Sequence, residues 1–442
     1  MSTEPKPIVI GDFGENFDYF EPNTSRYLVR NSSGRWLPLT ETNYKRKLKE
    51  RGLRGKPEVE GGLSEVDHAI LDVQDNRDIS HYGPICGQNA GLIEVNGQRI
   101  LVTEDMCLPR PEQGSWDLLE CVLNGLFVEH EEDSIGVAQI ETFHGWIKSS
   151  VEALRKAEIQ QQQALAICGP PRCGKSFLQT VITHMLSGRG AKAERYFSGK
   201  TPFNADLYGA EHLMLEDEHC STRIDQRLKL GAALKQHTVS TYLGSLHAKG
   251  RNAVNLPGWW RVSVTLNDCP EAMMVLPPLD QHIADKIILL RASIFDWPLS
   301  MESTADRITF HKRILGEIPA YLHWLIYEWD YSEEVKDNKR YNVKTFHHPV
   351  LEESLDSFSP EAELKDLLEA TYRDRMVDVE ETAADIEEAI RCHNATRAGK
   401  LFTFRNACGT YLGRLAQKHP DLITSKRDGK RRWWVIHPEL FE

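Results

Sequence analysis

The eight residues Gly169-Pro-Pro-Arg-Cys-Gly174-Lys175-Ser176 constrain this 442-residue chain more than any other segment. The spacing Gly-x-x-x-x-Gly-Lys-Ser lets a backbone curve tightly and aim successive N–H groups at a row of oxygens. Such a loop works only between a strand and a helix, and both are legible. Ala164-Leu-Ala-Ile-Cys168 reads as a short buried strand, and Ser176 to Leu186 as a helix ended by Gly188. The helix adds the positive end of its dipole to the loop. Lys175 would reach the β and γ phosphates of a nucleoside triphosphate, and the Ser176 hydroxyl would hold Mg²⁺. The expected cradle is Gly169, Pro170, Pro171, Arg172, Cys173, Gly174, Lys175 and Ser176, with Phe177 beside it, and the expected ligands are ATP and Mg²⁺.

A phosphate loop needs an acid at the end of a neighbouring strand to serve the metal and orient water. Leu213-Met-Leu-Glu216-Asp217-Glu218 supplies candidates forty residues after Ser176. Either Glu216 serves Mg²⁺ and Asp217 polarises the water, or Asp217 and Glu218 form the pair. Arg261-Val-Ser-Val-Thr-Leu-Asn267 is a further strand, and Asn267 would end it near the γ phosphate and the attacking water. Residues 164 to about 300 alternate strand and helix signals, as a mostly parallel sheet flanked by helices requires.

Around this α/β core the chain divides into zones. Residues 1–115 carry short β-like runs, with Asn96-Gly97 marking a hairpin within Ile93–Val102, and are expected to be an α+β region. Residues 116–163 have helical apolar spacing, and 164–350 hold the core with a helical extension, one amphipathic helix or a pair, from Asp306 to Trp329. Residues 360–442 make a separate terminal domain. No apolar run reaches the roughly 18 residues that a membrane span needs, and no signal peptide is visible. Nine cysteines without a Cys-x-x-Cys pair suit a reduced, cytoplasmic setting. The net charge of −12 argues against nucleic acid, but Arg397 to Arg432 holds ten lysines or arginines against two aspartates. Carboxylates dominate the stretch before it, Glu352 to Glu388, read as an acidic connector.

The order Lys175/Ser176, Glu216/Asp217, Asn267 resembles the superfamily 3 helicases of the AAA+ class. Among these it is most similar to phage and plasmid primase-helicases related to the poxvirus replicative ATPase. The resemblance covers about residues 164–300, and 90–350 more loosely. It implies a homo-oligomeric ring, a hexamer, with ATP bound between subunits and single-stranded DNA in the central hole. It also implies a DNA-tracking hairpin before the sensor strand, where Lys249-Gly250-Arg251 would be the tip with His247 beside it. A short cationic loop grips phosphates with an affinity that falls as salt rises. The family supplies a cation from the neighbouring subunit to the γ phosphate. Lys286, nineteen residues after Asn267, matches that position, with Arg291 in reserve. Phe203, Asn204 and Lys235 also match the group, and packing is the expected reason.

The N-terminal zone resembles the region before the ATPase in these proteins through Gly91-Leu-Ile-Glu94 and Arg99-Ile-Leu-Val-Thr103. A primase would need alternating carboxylates on one strand with a histidine nearby. Asp72, Asp75 and His81 come nearest, but residues three apart do not share a strand face. The zone is therefore expected to be a non-catalytic collar or oligomerisation module. The C-terminal zone reads as a winged helix: a helix from Phe404 to His419 carrying Arg405, Arg414 and Lys418, then two strands around Asp428-Gly429. Lys426, Arg427, Lys430 and Arg431 would face duplex DNA from the wing. The function expected is an ATP-dependent DNA helicase acting in replication of a phage, plasmid or integrated element. The alternative is a DNA-binding AAA+ switch or loader that hydrolyses ATP without unwinding.

Overall fold

The structure is a computed structural model. It describes residues 8–9, 17–158, 160–216, 224–239, 244–249, 252–256, 258–280, 282–337, 339–373, 375–429 and 431–440. Two compact units emerge: Met1–Pro277 with Gln281–His348, and Pro349–Glu442 with Pro278–Asp280.

In the first unit, Tyr19–Glu21, Arg26–Arg30 and Trp36–Leu39 form an antiparallel sheet. Helices Glu41–Glu50 and Glu65–Asn76 cover it, burying Tyr27, Tyr44, Leu48, Ile70 and Val73. Ser64 starts the second helix with a capping box to Asp67. Asp72 and Asp75 therefore lie on a helix, and His81 belongs to a separate strand, His81–Gly83. The strand setting weighed for those carboxylates does not occur. Gly91–Val95 and Gln98–Val102 make the expected hairpin, with Asn96 at φ 52° and Gly97 at φ 73°. Positive φ at both central residues is what a type I′ turn demands.

Helices α1 (Asp117–Phe127) and α2 (Asp133–Arg155) follow, the second starting ten residues before the periodic stretch at Phe143. The central sheet then begins. Its strands are β1 (Ala164–Gly169), β2 (Gly190–Lys192), β3 (His212–Glu216), β4 (Arg261–Asn267) and β5 (Ile287–Arg291). All pair in parallel, in the order β5-β1-β4-β3-β2. Every residue of β1 is buried, which is why its sequence is continuously apolar instead of alternating. The short, partly exposed β2 closes one edge.

Helix α3 (Lys175–Met185) leaves the loop after β1 and buries Leu178, Val181, Ile182 and Met185 against the sheet. Its last turn closes through the Gly188 N–H donating to Thr183 O (2.8 Å), with Ser187 and Gly188 at positive φ. Helix α4 (Thr304–Tyr327) is one continuous element through Pro319, where the sequence left open one helix or two.

In the second unit the acidic stretch is not a connector. Pro349–Ser357, Pro360–Tyr372 and Ala383–His393 are helices. They pack with α5 (Ala407–Lys418) and a three-stranded sheet of Val379–Thr382, Arg431–Ile436 and Ile423–Asp428. The core joins Leu364, Leu368, Ile386, Ile390, Leu412, Leu415, Trp434 and Ile436, while Trp433 is only partly buried. Alternating acids and leucines hid these amphipathic helices behind their charge.

Candidate functional site

Chain order and strand order disagree at one place, and that place holds the loop. β1 to β2 crosses to the far edge of the sheet, β2 to β4 steps back, and β4 to β5 passes to the other side of β1. The carboxyl ends of β1, β4 and β5 thus flank the point where the order reverses, where open α/β sheets bind ligands. The register brings particular residues there. Asn267 pairs with Gly169, and Arg291 with Cys168. Glu216 pairs with Thr265, two residues short of Asn267.

The loop's two glycines have separate physical reasons. A Cβ on Gly169 would stand 2.2 Å from Ala292 O, because the Ala292 N–H donates to Cys168 O (2.7 Å) and draws the chain after β5 against the loop. Gly174 has φ +111°, and a Cβ there would meet the Trp297 indole at 2.9 Å. Arg172 also lies at positive φ (68°), a conformation that is sterically costly for a side-chain-bearing residue.

Lys175 is buried, and its ammonium is fully engaged. It donates to Gly169 O and Pro170 O (2.8 Å each) and to Asn267 Oδ1 (3.2 Å), with Cys173 Sγ at 3.8 Å. Burial pushes the Cys173 thiol up, against the pull of the Lys175 ammonium. The structure therefore brings together Lys175 and Asn267, which are 92 residues apart. Ser176 is exposed at the start of α3, while Phe177 meets the Trp297 ring edge-on with centroids 5.9 Å apart.

Glu216 ends β3 on the same face as His212 and Met214, whose side chains meet Thr183 of α3. Its carboxylate accepts from Lys192 Nζ (3.1 Å). Asp217 and Glu218 lie outside the described residues, as do Gly250, Arg251 and Lys430. Beneath the site, His212 hydrogen-bonds with the hydroxyls of Thr183 (2.7 Å) and Ser263 (2.8 Å). Burial pushes its imidazole down to about 3, so the ring is neutral. Gln179 ties α3 to β4 by donating to Ser263 Oγ (2.8 Å). The sequence reading passed over both, since a polar residue in an apolar pattern carries no signature of its partner.

The two expected neighbour-directed cations lie at opposite ends of β5. Lys286 is buried at the amino end, remote from its own loop, and pairs with Asp285. Arg340 also approaches Asp285 (3.8 Å), a cation the sequence did not suggest. Arg291, at the loop end, donates to Glu131 Oε1 (3.1 Å), and Glu131 in turn meets His348 Nε2 (3.0 Å).

The expected hairpin is present as Gly244–Leu246 paired with Val254–Leu256. It joins the amino end of β4 through Trp259 and Trp260, at the rim of the sheet opposite the loop. Lys249 is exposed near its tip. Asn204 holds the base: its Oδ1 accepts from His247 N–H (2.7 Å) and its Nδ2 donates to Ser245 O (2.9 Å). Phe203 packs edge-on against the His247 ring at 5.1 Å. Lys235 is exposed on the helix Ile224–Val239.

In the second unit the basic residues divide. Arg414 pairs with Glu361 (3.1 Å) and Asp280 (3.8 Å), Lys418 with Asp356 (2.8 Å), and Lys426 with Glu380. Arg405, Arg427 and Arg431 are exposed with no ion pair among the described residues.

No protein-family model matches the chain, and no curated protein does. Among solved structures, the apo C-terminal region of NrS-1 (residues 305–718) aligns over 95% of this chain and 95% of its own length, with a TM-score of 0.54 and 10% identity. Its A form aligns over 95% and 96% with a TM-score of 0.51 and 12% identity. A structure described as the active helicase Cch of SCCmec type IV aligns over 92% and 73%, with a TM-score of 0.31 and 11% identity. The chain thus shares the fold of the NrS-1 C-terminal region over nearly its whole length.

Proposed function

We propose that the chain is an ATP-hydrolysing DNA motor of the superfamily 3 helicase type. Residues 164–350 would form a P-loop AAA+ core, 360–442 a winged-helix DNA-binding domain, and 1–115 a non-catalytic collar joined through 116–163. One observation carries the reading: Lys175 of the loop bonds Asn267, which ends the strand whose other end continues into the basic hairpin.

The carbonyls that Lys175 now holds are neutral acceptors. A β–γ phosphate would replace them with charged oxygens in the same buried setting, where charge-assisted hydrogen bonds are stronger. Asn267 would exchange its bond to Lys175 for one to the γ phosphate or the attacking water. Its position then reports whether that phosphate is present.

The donors suit Mg²⁺, which takes oxygen ligands and keeps substrate phosphates and water beside one or two carboxylates. Ser176 Oγ and Glu216 would hold it, with Asp217 or Glu218 completing the acid pair. The metal would neutralise charge on the phosphates. Displacing Lys192 would free the Glu216 carboxylate for that task. Lys286 would act on a neighbouring copy's loop in a hexameric ring, turning outward on assembly, and Arg291 would remain with Glu131.

Hydrolysis would shift β4 and with it the Lys249/Arg251 hairpin along a single strand. Arg405, Arg427 and Arg431 would meet duplex phosphates. Strand separation by the full chain with ATP and Mg²⁺, on a partially duplex DNA, tests the assignment. Unwinding should vanish in Lys175→Ala. DNA-independent hydrolysis with no strand separation by the wild type would instead favour a switch or loader.

A further inference from the structure

Away from the phosphate loop, α1, α2 and the end of α4 with the chain after it line an open-sided cavity of about 210 Å³. Pockets for drug-sized ligands begin at roughly 300 Å³, so this one suits a single small group or one side chain. Trp116, Trp324 and Trp329 line it with three indoles. Trp116 and Trp324 have centroids 4.7 Å apart and tilted by 38°, and Trp324 and Trp329 are 6.2 Å apart at 42°. The rings lean as walls and do not close into a stack. Glu120 of α1 and Glu141 of α2 add two carboxylates, and no lysine or arginine is among the described residues lining the cavity. Ser332 Oγ donates to Glu141 (2.5 Å), and Glu120 is exposed.

His144, at the cavity's inner wall, does not offset these charges. Its Nδ1 hydrogen-bonds with the Tyr321 hydroxyl (2.9 Å), and burial pushes the imidazole down to about 3. The same aromatic cluster already holds one cation. Lys148 Nζ lies 5.5 Å from the ring centroids of both Trp329 and Tyr331 while donating to Trp329 O (2.5 Å). The negative face of an aromatic ring attracts a cation at this range, tryptophan most strongly. Two carboxylates are few ligands for an inorganic ion, and no group of three His, Cys, Asp or Glu side chains placed to hold a metal occurs among the described residues. Their charge favours a cationic occupant over a neutral apolar one.

We propose that this cavity binds an organic cation, a guanidinium or alkylammonium group. The group would arrive either as a free small amine or as a side chain of a second copy of this chain. The site is independent of the nucleotide reading.

Tryptophan fluorescence and calorimetry of the full chain, diluted until it sediments as a monomer, test it with agmatine and tetramethylammonium as probes. Saturable binding is expected, weakened at least tenfold by Glu120→Gln and by Trp324→Leu, with 1-butanol giving no saturation. Glu120 is exposed on its helix, so Glu120→Gln keeps the fold, as unchanged melting would verify. No saturable binding by the wild type, or equal affinity in Glu120→Gln, overturns the proposal. Sedimentation at assembling concentrations then separates the two sources. Added agmatine should shrink an assembly held by a neighbour's side chain and leave it unchanged if the occupant is a free amine.

Discussion

Lys175 and Lys249 stand towards opposite ends of one strand, and their surroundings are opposite too. Lys175 is buried, with its donors on two carbonyls and an amide oxygen. Lys249 is exposed on a hairpin whose base is pinned by Asn204. Between them runs β4, seven residues or about 20 Å of extended chain. Six of those residues are buried, so the strand is a stiff link between an enclosed ammonium and an open one. An enclosed cation gains most from a ligand that outbids its neutral partners, whereas an open one offers a grip that salt weakens. The C-terminal unit holds its cations in a third way. Arg414, Lys418 and Lys426 rest on carboxylates, so a DNA phosphate would have to displace a like-charged group to reach them.

The largest break in this contrast should come from Lys175→Ala. Losing the loop's buried cation should slow ATP hydrolysis by at least about 10²-fold, near the effect of removing one preorganised donor at a developing charge. Phosphate release measures it, and a loss under about threefold would contradict the role.

Acid should separate the two units. His144 and His212 are buried and neutral in the first unit, with values near 3 against about 6.5 for a free imidazole. Below pH 6.5 the unfolded chain takes protons that the folded chain refuses. Stability should therefore fall by about 1.4 kcal/mol per pH unit for each histidine. Melting of the first unit at pH 7.5 and 5.5 would show the drop, and His212→Gln should about halve it.

Asn267→Ala tests the link itself. Nucleotide should still bind, because the loop is intact, while turnover falls about tenfold, or about 1.4 kcal/mol of barrier. Equal losses in binding and turnover would make Asn267 a mere anchor for Lys175.

The smallest effect concerns the paired and unpaired arginines. Replacing Arg427 and Arg431 by alanine should lower the salt dependence of duplex binding by about one unit of slope for each phosphate left without its arginine. Arg414→Ala should leave that slope nearly unchanged. The reverse ranking would mean that the ion pairs open on DNA.

Much of the loop end was readable because its signals are local. Gly169, Gly174, Lys175 and Ser176 lie in one eight-residue run, and the flanking strand and helix differ plainly in periodicity. The hydrogen bond between Lys175 and Asn267 depends on β1 and β4 being neighbours, a matter of sheet order that no local pattern encodes. His212, Gln179 and Asn204 were passed over or left to packing for the same reason, since each is defined by partners far along the chain. The acidic stretch from Glu352 was misjudged because charge outweighed the leucine spacing. Its carboxylates prove to be the partners of the basic residues after it.

The coupling along β4 is tested most directly by ATP hydrolysis with and without single-stranded DNA, for the wild type and for Lys249→Ala combined with Arg251→Ala. The account predicts that DNA stimulates the wild type several-fold and leaves the hairpin variant unstimulated. Equal stimulation of both proteins would contradict it.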